Sequence, residues 1–323
     1  MSRKRNRIIV LLFLTLSLAR PGLDKMGHAS AESLPQKRDH DSLLPHLNSK
    51  QLFLRSEKAL VVDIETGEVL LGRKADEDQP VASITKLMTA MVIIDAKLPE
   101  DEIIQITKAD RDRLRGSRSR LSYGSKITRR DLLKISLVGS DNRAAAALGR
   151  TFPGGHKTIV AAMNEKAKAL GMHRTVFKDV SGLRSGNRST AADLVTLVKS
   201  AFQYPMIRDL STTKKDFVTD LRKGWKVEFM NTNRLILNKN WNISLSKTGY
   251  IAASGHCLVM RAKIAGRRVI MVLLNSWGKL SKFGDANRIR KWLRRADKKA
   301  RKTAKAPQNV PMTTGDTLLA TAP

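Results

Sequence analysis

Cysteine is nearly absent. Cys257 stands alone in 323 residues, which excludes an internal disulfide framework and any cysteine-rich zinc site. Histidine is scarce too, and its six positions form no His-Glu-x-x-His or comparable ligand pair, so neither a metal nor a cofactor is expected. Aromatic residues make up only 5% of the chain. None is interleaved with basic residues in the manner that stacks bases, so nucleic acid is not an expected partner. With 20 glycines and 10 prolines beside 41% hydrophobic residues, the chain is neither fibrous nor low in complexity. No apolar run is long enough to span a bilayer, which takes roughly 20 residues. Acidic residues are few, 29 against 60 basic ones, for a net charge of +31.

What is present begins with an address. Arg3, Lys4, Arg5 and Arg7 precede an apolar run from Ile8 to Leu18, and Ala29-Ser-Ala31 follows as a small-x-small site. That order reads as a secretory signal peptide over residues 1–31, with cleavage after Ala31 or earlier at Ala19, and a membrane anchor as the alternative. A periplasmic protein, soluble or loosely associated with wall or membrane, is the expectation. In that compartment the partners for so basic a chain are anionic envelope polymers. The charge concentrates in Arg111–Arg120, with five arginines in ten residues, and in Lys282–Lys305, with eleven Lys or Arg against Asp285 and Asp297. Each is either an anion-binding patch or a solvated face.

The length fits one large domain or two smaller ones. Residues 32–50 are polar and read as a linker, a folded domain is expected over 51–297, and residues 298–323 read as a basic, disordered tail. From Lys58 to Gly72, two apolar runs flank Glu65-Thr-Gly67, a β-hairpin signal. Ser83–Ala96 is apolar nearly all round, as a helix in the middle of a core would be. Helical spacing recurs in Arg130–Val138, Asn142–Arg150, His156–Leu170 and Thr190–Phe202. Gly171 suits a C′ cap, Ser189 an N-cap, and Pro205 a stop. Strand-like runs return in Ile243–Thr248, Gly255–Ile264 and Arg268–Asn275, the last two joined by Ala265-Gly266 as a hairpin. A basic amphipathic helix is expected over Phe283–Lys299. Strands at both ends around a helical middle predict an α+β fold: one antiparallel sheet flanked by helices, an inserted all-helical lobe, and a cleft between them.

Three short motifs fall in order: Ser83-x-x-Lys86, Ser140-Asp-Asn142 and Lys247-Thr-Gly249. Ser-x-x-Lys also occurs at Ser211, Ser244 and Ser276, so context must sort the copies. Only Ser83 opens a long buried helix; Asn142 heads another, and Lys247 ends a strand. Serine and lysine at i and i+3 share a helix face. A serine hydroxyl needs an adjacent base to become a nucleophile, and lysine serves as one when burial or a second cation lowers its pKa. Lys247 is a candidate for that cation. Ser83 near a helix start also meets unpaired N–H groups and the positive end of the helix dipole.

This triplet resembles the signature of penicillin-binding proteins and class A β-lactamases. A closer resemblance, from about Lys58 to Leu293, is to low-molecular-mass D-alanyl-D-alanine endopeptidases of the penicillin-binding protein 7 type. Shared phrases include Val81-Ala-Ser-Ile-Thr-Lys-Leu-Met, Pro153-Gly-Gly, Gln203-Tyr-Pro, Asn231-Thr-Asn and Gly255-His-Cys-Leu-Val-Met-Arg. Asp141 departs from many relatives. The resemblance implies a β-lactamase/transpeptidase-like fold and a serine D,D-peptidase. Ser83 would be the acylated nucleophile, Lys86 its general base and Ser140 a proton relay to the leaving amine. Asn142 would hold the substrate amide and orient Lys86. Lys247 and Thr248 would bind the carboxylate region, and Gly249 would let the strand approach the substrate. The N–H groups of Ser83 and Tyr250 would form the oxyanion hole. Cross-linked muropeptides of peptidoglycan would be the substrate, and β-lactams covalent inhibitors.

A class A β-lactamase needs a glutamate to activate the deacylating water. No Glu-x-x-Leu-Asn setting occurs between Asn142 and Lys247, and Glu165 sits in a helical Glu-Lys-Ala-Lys-Ala run. A D-alanyl-D-alanine carboxypeptidase is the alternative enzyme. Such enzymes often add a β-rich domain after the catalytic one, whereas only 74 residues follow Gly249. A non-enzymatic basic wall-binding protein is the more distant alternative.

Overall fold

A computed structural model describes residues 42–305, all within one unit spanning His40–Pro323. The expected signal peptide and the end of the expected tail lie outside the described residues. Two short 3-10 turns, Leu44–His46 and Ser49–Gln51, occupy the described part of the expected linker.

Five strands form the main sheet: β1 (Ser56–Asp63), β2 (Val69–Arg73), β9 (Asn242–Ile251), β10 (Gly255–Ile264) and β11 (Arg267–Ser276). Their order is β2-β1-β11-β10-β9, every pair antiparallel, so the first and last strands of the chain lie side by side with Val62 opposite Ile270. Successive side chains on a strand point to opposite faces, and the apolar sequence here is continuous, so both faces are buried. Leu60, Val62, Ile270, Val272 and Leu274 enter one hydrophobic cluster. Ala59, Val61, Val269, Met271 and Leu273 enter the other. The β10–β11 turn has positive φ at both Ala265 (52°) and Gly266 (86°), the signature of the two-residue turn that matches strand twist.

Between β2 and β9 the chain builds the front of the molecule. The short strand β3 (Gln79–Pro80) pairs with β6 (Arg188–Ser189), β4 (Ile103–Gln105) with β5 (Lys126–Thr128), and β7 (Lys215–Asp220) with β8 (Trp225–Met230). The helices are α1 (Thr85–Asp95), α2 (Arg129–Val138), α3 (Asn142–Arg150), α4 (Gly155–Ala169), α5 (Ala191–Ala201) and α6 (Pro205–Thr212). All residues of α1 from Thr85 to Ile93 are buried, as its all-round apolar sequence requires. The insert is therefore helical with small ribbons rather than all-helical. In β7, Val218 and Asp220 are buried between more exposed neighbours, a half-buried alternation too short to stand out in sequence.

Two local expectations change. The N-cap of α5 is Thr190, whose side chain accepts from Asp193 N, not Ser189, which is a strand residue. Pro205 starts α6 instead of ending a helix, because the first helical position needs no N–H donor. Gly171, with φ 76°, does follow α4, and Met172 N donates to Ala167 O in the bond that closes a Schellman cap.

Helix α7 (Ser281–Lys305) covers the back of the sheet. Phe283, Ala286, Ile289 and Leu293 repeat every three or four residues and fill the rear cluster. Asp285, fully buried, accepts from Arg55 N (3.1 Å), Ser56 N (2.7 Å) and Ser56 Oγ (2.6 Å), pinning the helix start to β1. The helix runs past Lys299 because Ala300 still packs on that cluster and Arg301 pairs with Asp297 at 2.8 Å. Among the described residues no helix is long and apolar enough to cross a membrane.

Candidate active site

The three motifs converge where the β9 edge meets the start of α1. Ser83 is half-buried in a 3-10 turn, Ala82–Ile84, that leads into α1. Fully buried Ala82 has φ 49°, a left-handed conformation uncommon for a residue with a side chain. Two glycines explain how that conformation is held. A Cβ on Gly249 of β9 would lie 2.9 Å from Val81 O and 3.0 Å from Ser83 N. A Cβ on Gly182 would collide with Ala82 O from the other side. Ser83 N is thus clamped between β9 and the loop after α4. Gly249 serves the approach of β9 to this turn.

Asp179 shapes that loop. Its Oδ1 accepts from Ser181 N (2.7 Å), Gly182 N (2.6 Å) and Ser181 Oγ (2.8 Å), and its Oδ2 accepts from Arg184 N (2.7 Å). No motif in the sequence marks Asp179, Ser181 or Gly182. An aspartate two residues before a Ser-Gly pair is the only local signal, and it denotes a turn.

Lys86, one turn beyond Ser83, is 1% exposed. Its Nζ lies 2.9 Å from Ser83 Oγ, 2.7 Å from Asn142 Oδ1 and 2.7 Å from Ser181 O. Burial pushes the ammonium down to about 8, against the opposing pull of Asp179, Asp141 and Asp112. A neutral amine has two hydrogens and one lone pair. Asn142 Oδ1 and Ser181 O can only accept, so they take the two hydrogens and the lone pair is left for Ser83 Oγ.

The orientation of the Asn142 amide is set further out. Its Nδ2 donates to Ser117 Oγ (2.9 Å), and Ser117 in turn donates to Asp112 Oδ2. Ser117 can therefore only accept from Asn142, which turns Oδ1 toward Lys86. Asp112 also accepts from the N–H groups of Leu114 (2.9 Å) and Arg115 (2.9 Å). Burial would raise its pKa, yet the Ser117 hydroxyl and these N–H groups hold it below the usual carboxylate value. Sequence reasoning saw in Arg111–Arg120 only its charge. The loop's buried acid and serine are what reach the cleft.

Ser140 has φ 57° and precedes Asp141, the N-cap of α3, which accepts from Ala144 N at 2.9 Å. Lys247 Nζ donates to Ser140 Oγ (2.6 Å) and to Thr248 O (3.1 Å). Lys247 is 1% exposed, and its pKa lies well below the usual lysine value, first through burial and then through the charge of Lys86. The sequence reading cast Lys247 as the group that lowers Lys86. Burial is the leading cause at both lysines, because neither makes an ion pair among the described residues. Thr248 Oγ1 donates to Thr232 Oγ1 (2.6 Å).

Tyr250 faces the cleft through its backbone. Arg115 Nη1, from the loop opposite, donates to Tyr250 O at 2.6 Å. On a strand the N–H and C=O of one residue project toward the same neighbour, so Tyr250 N also faces this edge. Ser83, Lys86 and Asn142 thus share one hydrogen-bonded group, and Lys247 and Ser140 another. No hydrogen bond joins Ser140 to Ser83 among the described residues. Nor does any carboxylate bond Ser83 Oγ, and Glu165 is exposed on α4. No group of three or more His, Cys, Asp or Glu is placed to hold a metal among the described residues.

Residues 46–278 match the family of D-alanyl-D-alanine carboxypeptidases, peptidase S11. The chain is 45% identical over 289 residues to a D-alanyl-D-alanine endopeptidase of Pseudomonas aeruginosa, covering 90% of this chain and 89% of that one. A D-alanyl-D-alanine endopeptidase of Escherichia coli is 44% identical over 245 residues, covering 76% of this chain and 79% of the relative. The crystal structure of the Streptomyces K15 DD-transpeptidase is similar at TM-score 0.68 and 28% identity, over 74% of this chain and 97% of that one.

Proposed function

The chain belongs to the peptidase S11 family, and from that premise we propose that it is a serine D-alanyl-D-alanine endopeptidase that cuts D-alanyl cross-links in peptidoglycan through an acyl-enzyme on Ser83. The observation that carries this reading is the three-way hydrogen bonding of Lys86, whose only remaining electron pair points at Ser83 Oγ. Lys86 takes the Ser83 proton as Oγ attacks the D-alanyl carbonyl. The N–H groups of Ser83 and Tyr250 receive the oxyanion, and losing one such donor costs about 3 kcal/mol of barrier. Ser140, backed by Lys247, hands a proton to the leaving amine. Lys247 and Thr248 receive the carboxylate beyond the scissile bond, and Asn142 holds Lys86 in place. Water then releases the acyl group. With no free carboxylate at Ser83 to activate that water quickly, β-lactams acylate Ser83 and stay.

The names of two relatives, at 45% and 44% identity, favour endopeptidase over carboxypeptidase. Intact mass spectrometry after incubation with benzylpenicillin tests the chemistry: one added ligand mass, absent in Ser83→Ala. Rapid turnover of the antibiotic without an adduct would overturn it. Chromatography of digested wall fragments tests the bond, with cleavage of cross-linked dimers expected and free D-alanine as the product of the carboxypeptidase alternative.

The same reading places the enzyme in the periplasm, with residues 1–31 as the export signal, 32–50 as a linker, 51–297 as the catalytic domain and the rest as a basic tail. It also gives the back of the molecule a role in holding anionic envelope polymers. A cavity of about 540 Å³ there is lined by Phe53, Arg288, Trp292, Arg295, Lys299 and Lys302 among others. Trp277 nearby is 85% exposed, with Arg55 over its ring.

A further inference from the structure

The β7–β8 ribbon leaves the cleft beside Ser140 and Thr248. At its base Thr232, two residues past β8, accepts from Thr248 Oγ1 at 2.6 Å, and Thr232 N donates to Val138 O at 3.3 Å. Phe229 packs so closely on Gly139, the residue before Ser140, that a Cβ there would lie 2.9 Å from Phe229 Cδ1. The ribbon is thus held by the face that carries Val218 and Phe229, both buried. From there the six residues of β8, at about 3.3 Å each, carry its far end roughly 20 Å out from Thr232.

That far end is not an ordinary turn. Leu221-Arg-Lys-Gly-Trp-Lys226 joins the strands with three cations, no acid and two large apolar side chains. Turns usually take small polar residues, yet Trp225 is 67% and Leu221 48% exposed. Lys223 Nζ lies 4.6 Å from the Trp225 ring centroid. A second exposed ring, Tyr123, stands on the adjoining loop with the Arg143 guanidinium 4.4 Å from its centroid. The loop and the turn are joined, since Leu221 N donates to Lys126 O at 2.9 Å and the Arg222 guanidinium lies against Gly124. Nor is the turn loose. Buried Asp220 accepts from Ser125 Oγ (2.7 Å), Lys126 N (3.1 Å) and Arg222 N (3.0 Å), and its carbonyl accepts from Gly224 N (2.7 Å). The fold therefore holds in place two rings that it leaves in solvent.

Rings presented in this way suit a sugar polymer. A pyranose has a flat face of C–H groups that can lie on an aromatic face, removing apolar surface from water while its hydroxyls stay solvated. Cations beside the rings match the carboxylates of peptides attached to such a polymer. The reach agrees as well. A stem peptide of about five residues, at no more than ~3.5 Å each, sets its sugar roughly 17 Å from the bond that is cut. The two rings stand at about that remove, on the side of Ser140, where the leaving amine departs.

We propose that the Tyr123–Trp225 end of the ribbon is a carbohydrate platform that binds the glycan chain carrying the leaving stem peptide. That it is this chain rests on the endopeptidase reading; affinity for the sugar does not. Trp225 supplies the stacking face, Leu221 its apolar edge, and Arg222 and Lys223 the attraction for stem carboxylates. The platform touches none of the reacting groups, so it acts on binding and leaves acylation alone.

Calorimetric binding of peptide-free glycan chains, prepared with an amidase, tests the platform, with benzylpenicillin labelling of Ser83 as an independent readout. The unchanged protein should bind the chains. Trp225→Ala should weaken binding at least about tenfold, the scale of truncating an aromatic anchor, with labelling unchanged. Trp225→Tyr, which keeps a stacking face, should retain most of the affinity. No binding by the unchanged protein, or undiminished binding by Trp225→Ala, would overturn the platform. So would Trp225-dependent binding to anionic phospholipid vesicles in place of glycan, or binding abolished by Arg222→Gln with Lys223→Gln and untouched by Trp225→Ala. Failure of benzylpenicillin to label Ser83 would instead overturn the enzyme reading.

Discussion

The floor of the cleft and the outer face of α7 are both rich in cations, and they do opposite things with them. In the cleft, Lys86 and Lys247 are each 1% exposed and have no acid partner among the described residues, so burial depresses both pKa values. On α7, Lys291, Arg294, Arg295, Lys298 and Arg301 keep their charged ends toward solvent over an apolar stripe of Phe283, Ile289 and Leu293. Lys282, which turns inward at the start of the same helix and is 5% exposed, follows the cleft's rule: burial pushes it down to about 8. Solvation, not the number of charges, decides how far a lysine's pKa falls.

Disturbing the clamp on Ser83 should have the severest consequence. Gly182→Ala puts a methyl group against the Ala82 carbonyl at a residue with φ 82°. Labelling by a fluorescent penicillin should fall at least ~100-fold, the scale of a misplaced reacting group. Labelling at the normal rate would mean the turn at Ala82 is not held from this side.

Next comes the base. Lys86→Arg keeps the charge but cannot give up its proton at accessible pH, so acylation should slow by at least ~100-fold. In the unchanged protein the acylation rate should climb as pH rises toward about 8 and level off above it, because only the neutral amine accepts the Ser83 proton. The sign for stability is the same. Lys86 titrates near 8 folded and 10.5 unfolded, so the unfolded chain holds more protons between those values. Stability therefore rises with pH across that window. Denaturant titrations at pH 7 and pH 10 should show a smaller rise in Lys86→Met than in the unchanged protein.

On the back, Asp285→Ala removes the acceptor of three hydrogen bonds from Arg55 and Ser56. It should cost about 3 kcal/mol of stability in chemical denaturation, while the folded fraction still acylates at the normal rate. A slowed reaction would show that front and back are not independent. The smallest effect belongs to the tail. Truncation after Asp297 leaves the apolar stripe of α7 in place, so acylation should be unchanged while sedimentation with purified sacculi weakens at low salt. Truncation after Leu280 removes the stripe and should unfold the protein. Equal co-sedimentation of the Asp297 truncation and the full chain at every salt concentration would reduce the basic face to solvated surface, since a polymer contact screened over ~8 Å must respond to salt.

Much of this was readable from local pattern. Apolar periodicity marked α2, α3 and α4 to within a residue or so, and β10 to both ends, because long amphipathic or continuously apolar runs leave few alternatives. The order of the three motifs singled out Ser83 from the other Ser-x-x-Lys copies, since only there does the serine open a helix apolar all round. Short, half-buried elements were missed, β7, β8 and α6 among them, because their pattern is too brief to exceed the noise of a polar, basic stretch.

Local pattern alone was enough to nominate Ser83, Lys86, Ser140, Asn142 and Lys247 and to set them on one helix start, one helix cap and one strand. Their burial and hydrogen-bond partners come from the folded chain. Lys86 has fixed hydrogen-bond partners because loops some 30 and 95 residues away supply Ser117, Asp112 and Ser181, which set where its protons go. Ser83 presents its N–H because Gly182 and Gly249, far apart in the chain, close on the same peptide. Hydrogen-bond direction and desolvation depend on what surrounds a group in space, and nothing within a few residues of Lys86 could announce them.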